Sequence, residues 1–184
     1  MTSRLAFLGA DPGLAHFGAC LLEVAGDNVS LFAVEVFKTE KDDKKIMSAS
    51  EDNYARAVSL YLQLKAFLAL YPGTIWGCGV EAMSHPQSSS AASKLSMSWG
   101  VFAATLTEAG IPAFHKSPQK IKQALLGRIS ATKEEVMDAV SEKIDMTSFK
   151  QRYRKTLWEH GFDAVAAALA TLDDEVLKEA RRLL

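Results

Sequence analysis

The feature that most narrows the possible folds is the run Ile75–Val80, an almost unbroken apolar stretch lying between two segments of helical periodicity. A strand with one wet face alternates apolar and polar residues, whereas a continuous run belongs in a sheet covered on both faces. Before it, Tyr54–Leu70 carries Ala57, Leu60, Tyr61, Leu64 and Leu68 at helical spacing, and Pro72 and Gly73 stop that helix. After it, Ala91–Ala109 returns to a helical pattern closed by Gly110, and Pro112–His115 reads as a short further strand.

Upstream, Leu5–Leu8 is a short apolar run ending at Gly9, and Ala19–Val24 and Leu31–Phe37 are rich in apolar and β-branched residues, with Gly26, Asp27 and Asn28 as a turn between these two. They predict three consecutive antiparallel strands, followed by a polar loop over Lys38–Asn53. Ser117 with Pro118 starts a helix, Thr132 with Glu135 forms a capping box, and the last helix begins near Glu159 or His160. A meander followed by alternating helices and strands predicts an α/β fold: one five-stranded mixed sheet, three antiparallel strands then parallel ones, with helices on both faces. The 184 residues, with no repeats or shift in composition, are expected to form a single domain over 1–184.

Composition sets limits on partners and location. At 48% hydrophobic and 23% charged the chain has the makeup of a folded globular protein. A net charge of -1 means that any contact with nucleic acid must come from locally gathered cations. Cys20 and Cys78 sit in apolar stretches without ligand spacing and read as reduced, buried residues. The apolar run at the start stops at Asp11, too early for an export signal, and Ala164–Leu172 is about half of the roughly 20 residues needed to span a bilayer. A cytoplasmic protein without a membrane segment is expected.

Two acids stand in equivalent places. Asp11 follows the first strand, where Pro12 and Gly13 force a turn, and Glu81 ends the strand Ile75–Val80. Separately, each is as well explained as a turn residue or a solvated strand terminus. If the two strands are neighbours, the carboxylates meet, and like charges brought together are costly unless a cation lies between them. His160 and Asp163, three apart at the start of the last helix, can project from one face or simply cap it. Together the four make a ligand set of hard oxygens plus one imidazole, which suits Mg²⁺, two ions per site, with Mn²⁺ as a substitute. Two such ions would activate water and stabilise the leaving 3′-oxygen of a phosphodiester, giving 5′-phosphate and 3′-hydroxyl ends.

Four blocks in order carry a family resemblance. Gly9-Ala10-Asp11-Pro12-Gly13 with Gly18, Val80-Glu81, Ile121-Lys122-Gln123 through Gly127 to Ser130-Ala131-Thr132-Lys133, and His160-Gly161-Phe162-Asp163-Ala164 resemble the motifs of RuvC Holliday junction resolvases. The resemblance spans Gly9 to about Leu172. It implies a ribonuclease H-like fold and a crossover junction endodeoxyribonuclease, in which Asp11, Glu81, His160 and Asp163 bind metal. It also implies that Lys122 and Lys133 approach the DNA backbone, with Lys133 the one nearer the scissile phosphate. The resemblance also implies a homodimer, matched to the two-fold symmetry of a four-way junction and involving the apolar side of Ala91–Ala109 that includes Met97, Trp99, Phe102 and Leu106, most of which must nevertheless be core.

The chain also departs from the family. Ala82-Met83-Ser84-His85-Pro86 lacks the aromatic residue that many members place after the strand-four acid, leaving Met83 or His85 to wedge into the junction. Lys150-Gln151-Arg152-Tyr153-Arg154-Lys155 could follow a DNA backbone through Arg152 and Arg154, and serves equally well as a solvated charge run. A broader nuclease of forks or Y-branches is the nearest alternative, and a non-catalytic junction-binding protein a more distant one. A phosphate-binding domain of the actin and sugar-kinase type shares the first loop but requires a second lobe and leaves the lysine block without a role, so no nucleotide cofactor is expected.

Overall fold

In the computed structural model, which describes residues 5–42, 46–83 and 88–182, the chain opens with three antiparallel strands: β1 (Leu5–Asp11), β2 (His16–Ala25) and β3 (Asn28–Lys38). Each is longer than its apolar run, because backbone pairing continues into the polar residues at the strand ends. Helix α1 (Ala49–Leu68) leads to β4 (Thr74–Glu81), which pairs parallel to β1, and α2 (Ser89–Ala109) leads to β5 (Ala113–Lys116), parallel to β4. The sheet order is β3-β2-β1-β4-β5, the mixed sheet expected. The continuous apolar run thus lies in β4, between β1 and β5 and with helices on either side.

Helix α1 begins earlier than its apolar periodicity. Ser48 and Glu51 form a full capping box, so the predicted loop ends about five residues sooner. The remaining helices are α3 (Pro118–Leu126), α4 (Lys133–Lys143), the short α5 (Thr147–Arg152), α6 (Trp158–Leu172) and α7 (Glu175–Arg182). Ser117 caps α3 and the Thr132–Glu135 box caps α4, as the sequence indicates.

The two faces of the sheet carry separate cores. Phe17, Leu21, Leu60, Leu64, Phe102 and Leu106 pack under α1 and α2, while Phe7, Cys20, Leu22, Phe162 and the alanines of α6 fill the other side. Phe102 and Leu106, expected in part on a dimer surface, are therefore core residues at 1% and 4% exposure. The outer edge of β3 is partly covered, since the Val36 N–H donates to the Tyr153 hydroxyl at 3.3 Å.

Helix α6 lies unusually close to the sheet. A Cβ added to Gly18 would fall 1.9 Å from the His160 carbonyl oxygen, one on Gly9 2.1 Å from that of Ala164, and one on Gly79 2.5 Å from that of Ala167. These carbonyls follow one face of the helix at positions 160, 164 and 167. A glycine on each of β2, β1 and β4 thus forms the track on which α6 rests, and that track fixes where its first turn, with His160 and Asp163, meets the strand ends.

Candidate active site

Strand register assembles the carboxylates. Ala10 pairs with Val80, which places Asp11 and Glu81 next to each other at the carboxyl ends of β1 and β4. Their strand neighbours Ala10 and Val80 belong to the core under α1 and α2, so the acids project to the opposite, α6 side. There the His160 ring nitrogen Nδ1 lies 2.8 Å from Asp11 Oδ2, and Asp163 sits one turn further along the same helix.

The electrostatics are those of a crowded acidic site. Burial, then the charges of Asp11 and Glu81, push the Asp163 carboxyl up to about 7, and Lys133 offsets only part of this. Glu81 is raised in the same way, by burial and then by Asp11, against Lys133 and Lys122. For His160, burial disfavours the imidazolium, but the hydrogen bond to Asp11 and the charges of Asp11, Glu159 and Asp163 more than reverse that and raise its pKa. Glu81, Asp163 and His160, held out of their ordinary ionisation by burial and by the charges around them, make the environment that a divalent cation relieves.

The donor chemistry therefore fits a hard cation. The side-chain poses do not yet grip one: among the described residues no three carboxylate, imidazole or thiol groups converge closely enough to hold an ion. Asp11 Oδ2 is instead engaged by His160 Nδ1.

The structure distributes the other expected residues unevenly. Lys133, at the first turn of α4, stands beside the acids and is held by Glu159 at 2.8 Å, which raises its pKa. Lys122, half-buried on α3, acts electrostatically on Glu81. Arg152 is drawn toward the edge strand, where it pairs with Glu35 and packs on the Tyr153 ring. Arg154 is exposed, without an ion pair among the described residues, just before the turn that leads into α6. Met83 is 47% exposed two residues beyond Glu81, and His85 lies outside the described residues.

Two neighbours of the site lie outside the motif blocks as sites. Glu159 is the partner of Lys133, and adjacency to His160 is its only sequence signal. His16, the first residue of β2, faces His160 with ring centroids 5.3 Å apart. Nothing in the sequence marks it until α6 docks on the sheet.

Comparison with known proteins identifies the family. A family model described as "Crossover junction endodeoxyribonuclease RuvC" matches residues 7–170. The RuvC of Prochlorococcus marinus (strain AS9601) is 27% identical over 168 residues, 91% of this chain and 96% of the relative. The Thermus thermophilus RuvC structure superimposes with a TM-score of 0.70 at 26% identity, covering 91% of this chain and 93% of that one. The same protein in complex with a Holliday junction substrate gives 0.70 at 27%, covering 91% and 92%. With its matching ribonuclease H-like sheet and with the acids of the motif blocks brought to one end of it, this chain belongs to the RuvC family of crossover junction endodeoxyribonucleases.

Proposed function

We propose that this chain resolves Holliday junctions by paired symmetric nicks that leave 5′-phosphate and 3′-hydroxyl ends, acting in the cytoplasm as a homodimer of single-domain subunits. The observation that carries the reading is the placement of Asp11 and Glu81 at the adjacent strand ends of β1 and β4 beside the first turn of α6, which carries His160 and Asp163, with the Asp163 carboxyl pushed up to about 7 by burial and then by Asp11 and Glu81. Those four residues would hold Mg²⁺, with Mn²⁺ as a substitute. When bound, the metal supplies activation of the attacking water and stabilisation of the charge that develops on the leaving oxygen.

The protein's own groups do the rest. Asp11 and Glu81 present their carboxylates side by side on the α6 side of the strand ends. A bound cation would favour the ionised forms of Glu81 and Asp163, which burial and neighbouring carboxylates disfavour. Lys133, exchanging Glu159 for a phosphate oxygen, places a cation beside the scissile group, and Lys122 supplies a second positive charge on the same flank. Arg154 extends the contact surface before α6. Arg152 joins it only by leaving Glu35, and Met83 is the described candidate for a wedge at the junction centre.

A four-way junction needs two opposed cuts, which a C2 dimer provides. The face of α2 left uncovered carries Ser93, Ser96, Gly100, Ala103 and Thr107, small residues that let a second helix approach closely. End-labelled four-way junction, Y-fork and plain duplex incubated with the protein and Mg²⁺ test substrate choice. Symmetric nicks on the junction, in excess over the fork, are expected. Equal or faster cutting of the fork would replace the resolvase with a broader branch nuclease.

A further inference from the structure

A second group of cations borders the acidic site at the ends of β2 and β3. His16 and Lys38 are register partners at the ends of β2 and β3. His16 shares the side of Gly18, which faces α6, and Lys38 shares that of Val36, so both lie on the surface that carries the acids. The segment is fixed in place: the Thr39 N–H donates to the Ala15 carbonyl at 3.2 Å, the Thr39 hydroxyl donates to that of Leu14 at 2.5 Å, and Gln63 donates to the Lys38 carbonyl at 3.2 Å. Beneath it the buried Arg56 donates to the Thr39 hydroxyl at 2.9 Å, with Asp52 as its ion-pair partner at 3.9 Å.

His16 stands against the His160 ring, with centroids 5.3 Å apart, and offers a ring N–H as a hydrogen-bond donor. Lys38 is exposed and makes no ion pair among the described residues. Arg56 is matched by Asp52 and His160 by Asp11, which leaves the Lys38 ammonium as the cation open to an anion from solution. The spacing suits the substrate: His16 lies two residues from Gly18, the partner of Asp11, about 7 Å along the strand, and successive phosphates of one DNA strand advance about 3.4 Å along the axis.

We propose that His16 and Lys38 form a phosphodiester-binding point that grips the cut strand one or two phosphates from the scissile position. The inference rests on the nuclease reading above, and adds a grip on β2 and β3 to the lysine contacts of α3 and α4. A chain of net charge -1 needs such local grips if it is to fix the scissile bond with few cations.

The test is fluorescence anisotropy of a labelled four-way junction in Ca²⁺ at 50 and 200 mM salt, with wild type, Lys38→Gln, Lys38→Arg and His16→Gln. Removing one cation–phosphate pairing lowers the salt slope by about 0.9, so the deficit of Lys38→Gln should shrink about 3.5-fold between these concentrations, from about tenfold to about threefold. Lys38→Arg should bind as wild type does, and His16→Gln should lose a severalfold factor. Wild-type affinity and slope for Lys38→Gln, while wild type binds the junction and cuts it in Mg²⁺, would overturn the proposal and leave the resolvase standing. Failure of the wild type to bind any branched DNA would overturn both.

Discussion

The close seating of α6 makes Gly18→Ala the most informative single change. The added Cβ would lie 1.9 Å from the His160 carbonyl oxygen, whereas a carbon and a carbonyl oxygen in contact settle at about 3.3 Å or more. The first turn of α6 must therefore retreat by about 1.4 Å. His160 and Asp163 ride on that turn, so both move away from Asp11 and Glu81, and the 2.8 Å hydrogen bond between His160 and Asp11 breaks. A misplacement of about 1 Å in a catalytic constellation can cost about a hundredfold in rate, and overpacking of this kind costs about 1–3 kcal/mol of stability. In single-turnover cleavage of an end-labelled four-way junction in Mg²⁺, Gly18→Ala should be slower by about two orders of magnitude. Its junction affinity should stay within about threefold, because the lysine contacts lie on other elements. The melting temperature should fall by several degrees, given about 2–4 °C per kcal/mol for a chain of this length. Cleavage at the wild-type rate with an unchanged melting temperature would refute the glycine track as the device that positions the site.

Other consequences concern charge and assembly. The Asp163 carboxyl, raised from 3.8 to about 7, contributes stability at low pH that is lost as pH rises through the folded value. In metal-free protein at pH 8 this disfavours the fold by at most about 4 kcal/mol; Asp163→Asn should raise the melting temperature there by several degrees, far less at pH 4, while abolishing cleavage, and a lower melting temperature at pH 8 would contradict it. Lys133→Ala and Lys122→Ala should each weaken junction binding and flatten its salt dependence by about 0.9 for every phosphate no longer neutralised, and unchanged affinity in both would remove those lysines from the DNA surface. Gly100, where an added Cβ meets nothing within the subunit, should tolerate Lys as a folded monomer. Light scattering should then give about 20 kDa for Gly100→Lys and twice that for wild type; equal masses would place the dimer contact elsewhere.

The sheet is legible in the sequence because its strands announce themselves by composition: β4 as an almost unbroken apolar run, β1 as a short apolar run ended by a glycine, and β2 and β3 as apolar stretches with β-branched residues separated by turn residues. The starts of α3 and α4 are legible from their caps. The start of α1 is hidden from periodicity although Ser48 and Glu51 carry a capping-box spacing, because the apolar stripe begins only later in the helix. Asp11 and Glu81 can be paired in advance, since adjacent parallel strands bring their ends together.

The rest depends on tertiary docking, which sequence spacing does not encode. Glu159 and Lys133 are 26 residues apart, and His16 and His160 meet only because three glycines let α6 settle onto the sheet. The glycines themselves are a usable signal, one on each of three strands facing an alanine-rich helix. Phe102 and Leu106 read in part as a dimer surface because an apolar helix stripe looks the same whether a sheet or a second subunit covers it.

Metal-dependent cleavage through Asp11 is the property on which everything else depends. Single-turnover reactions on a four-way junction should be run with Mg²⁺, with Mn²⁺ and with EDTA, comparing wild type and Asp11→Asn. Paired symmetric nicks that need the metal and fall by about three orders of magnitude or more in Asp11→Asn, with junction binding retained, are the predicted result. Cleavage that persists in EDTA, or an Asp11→Asn protein that cuts at the wild-type rate, would contradict it.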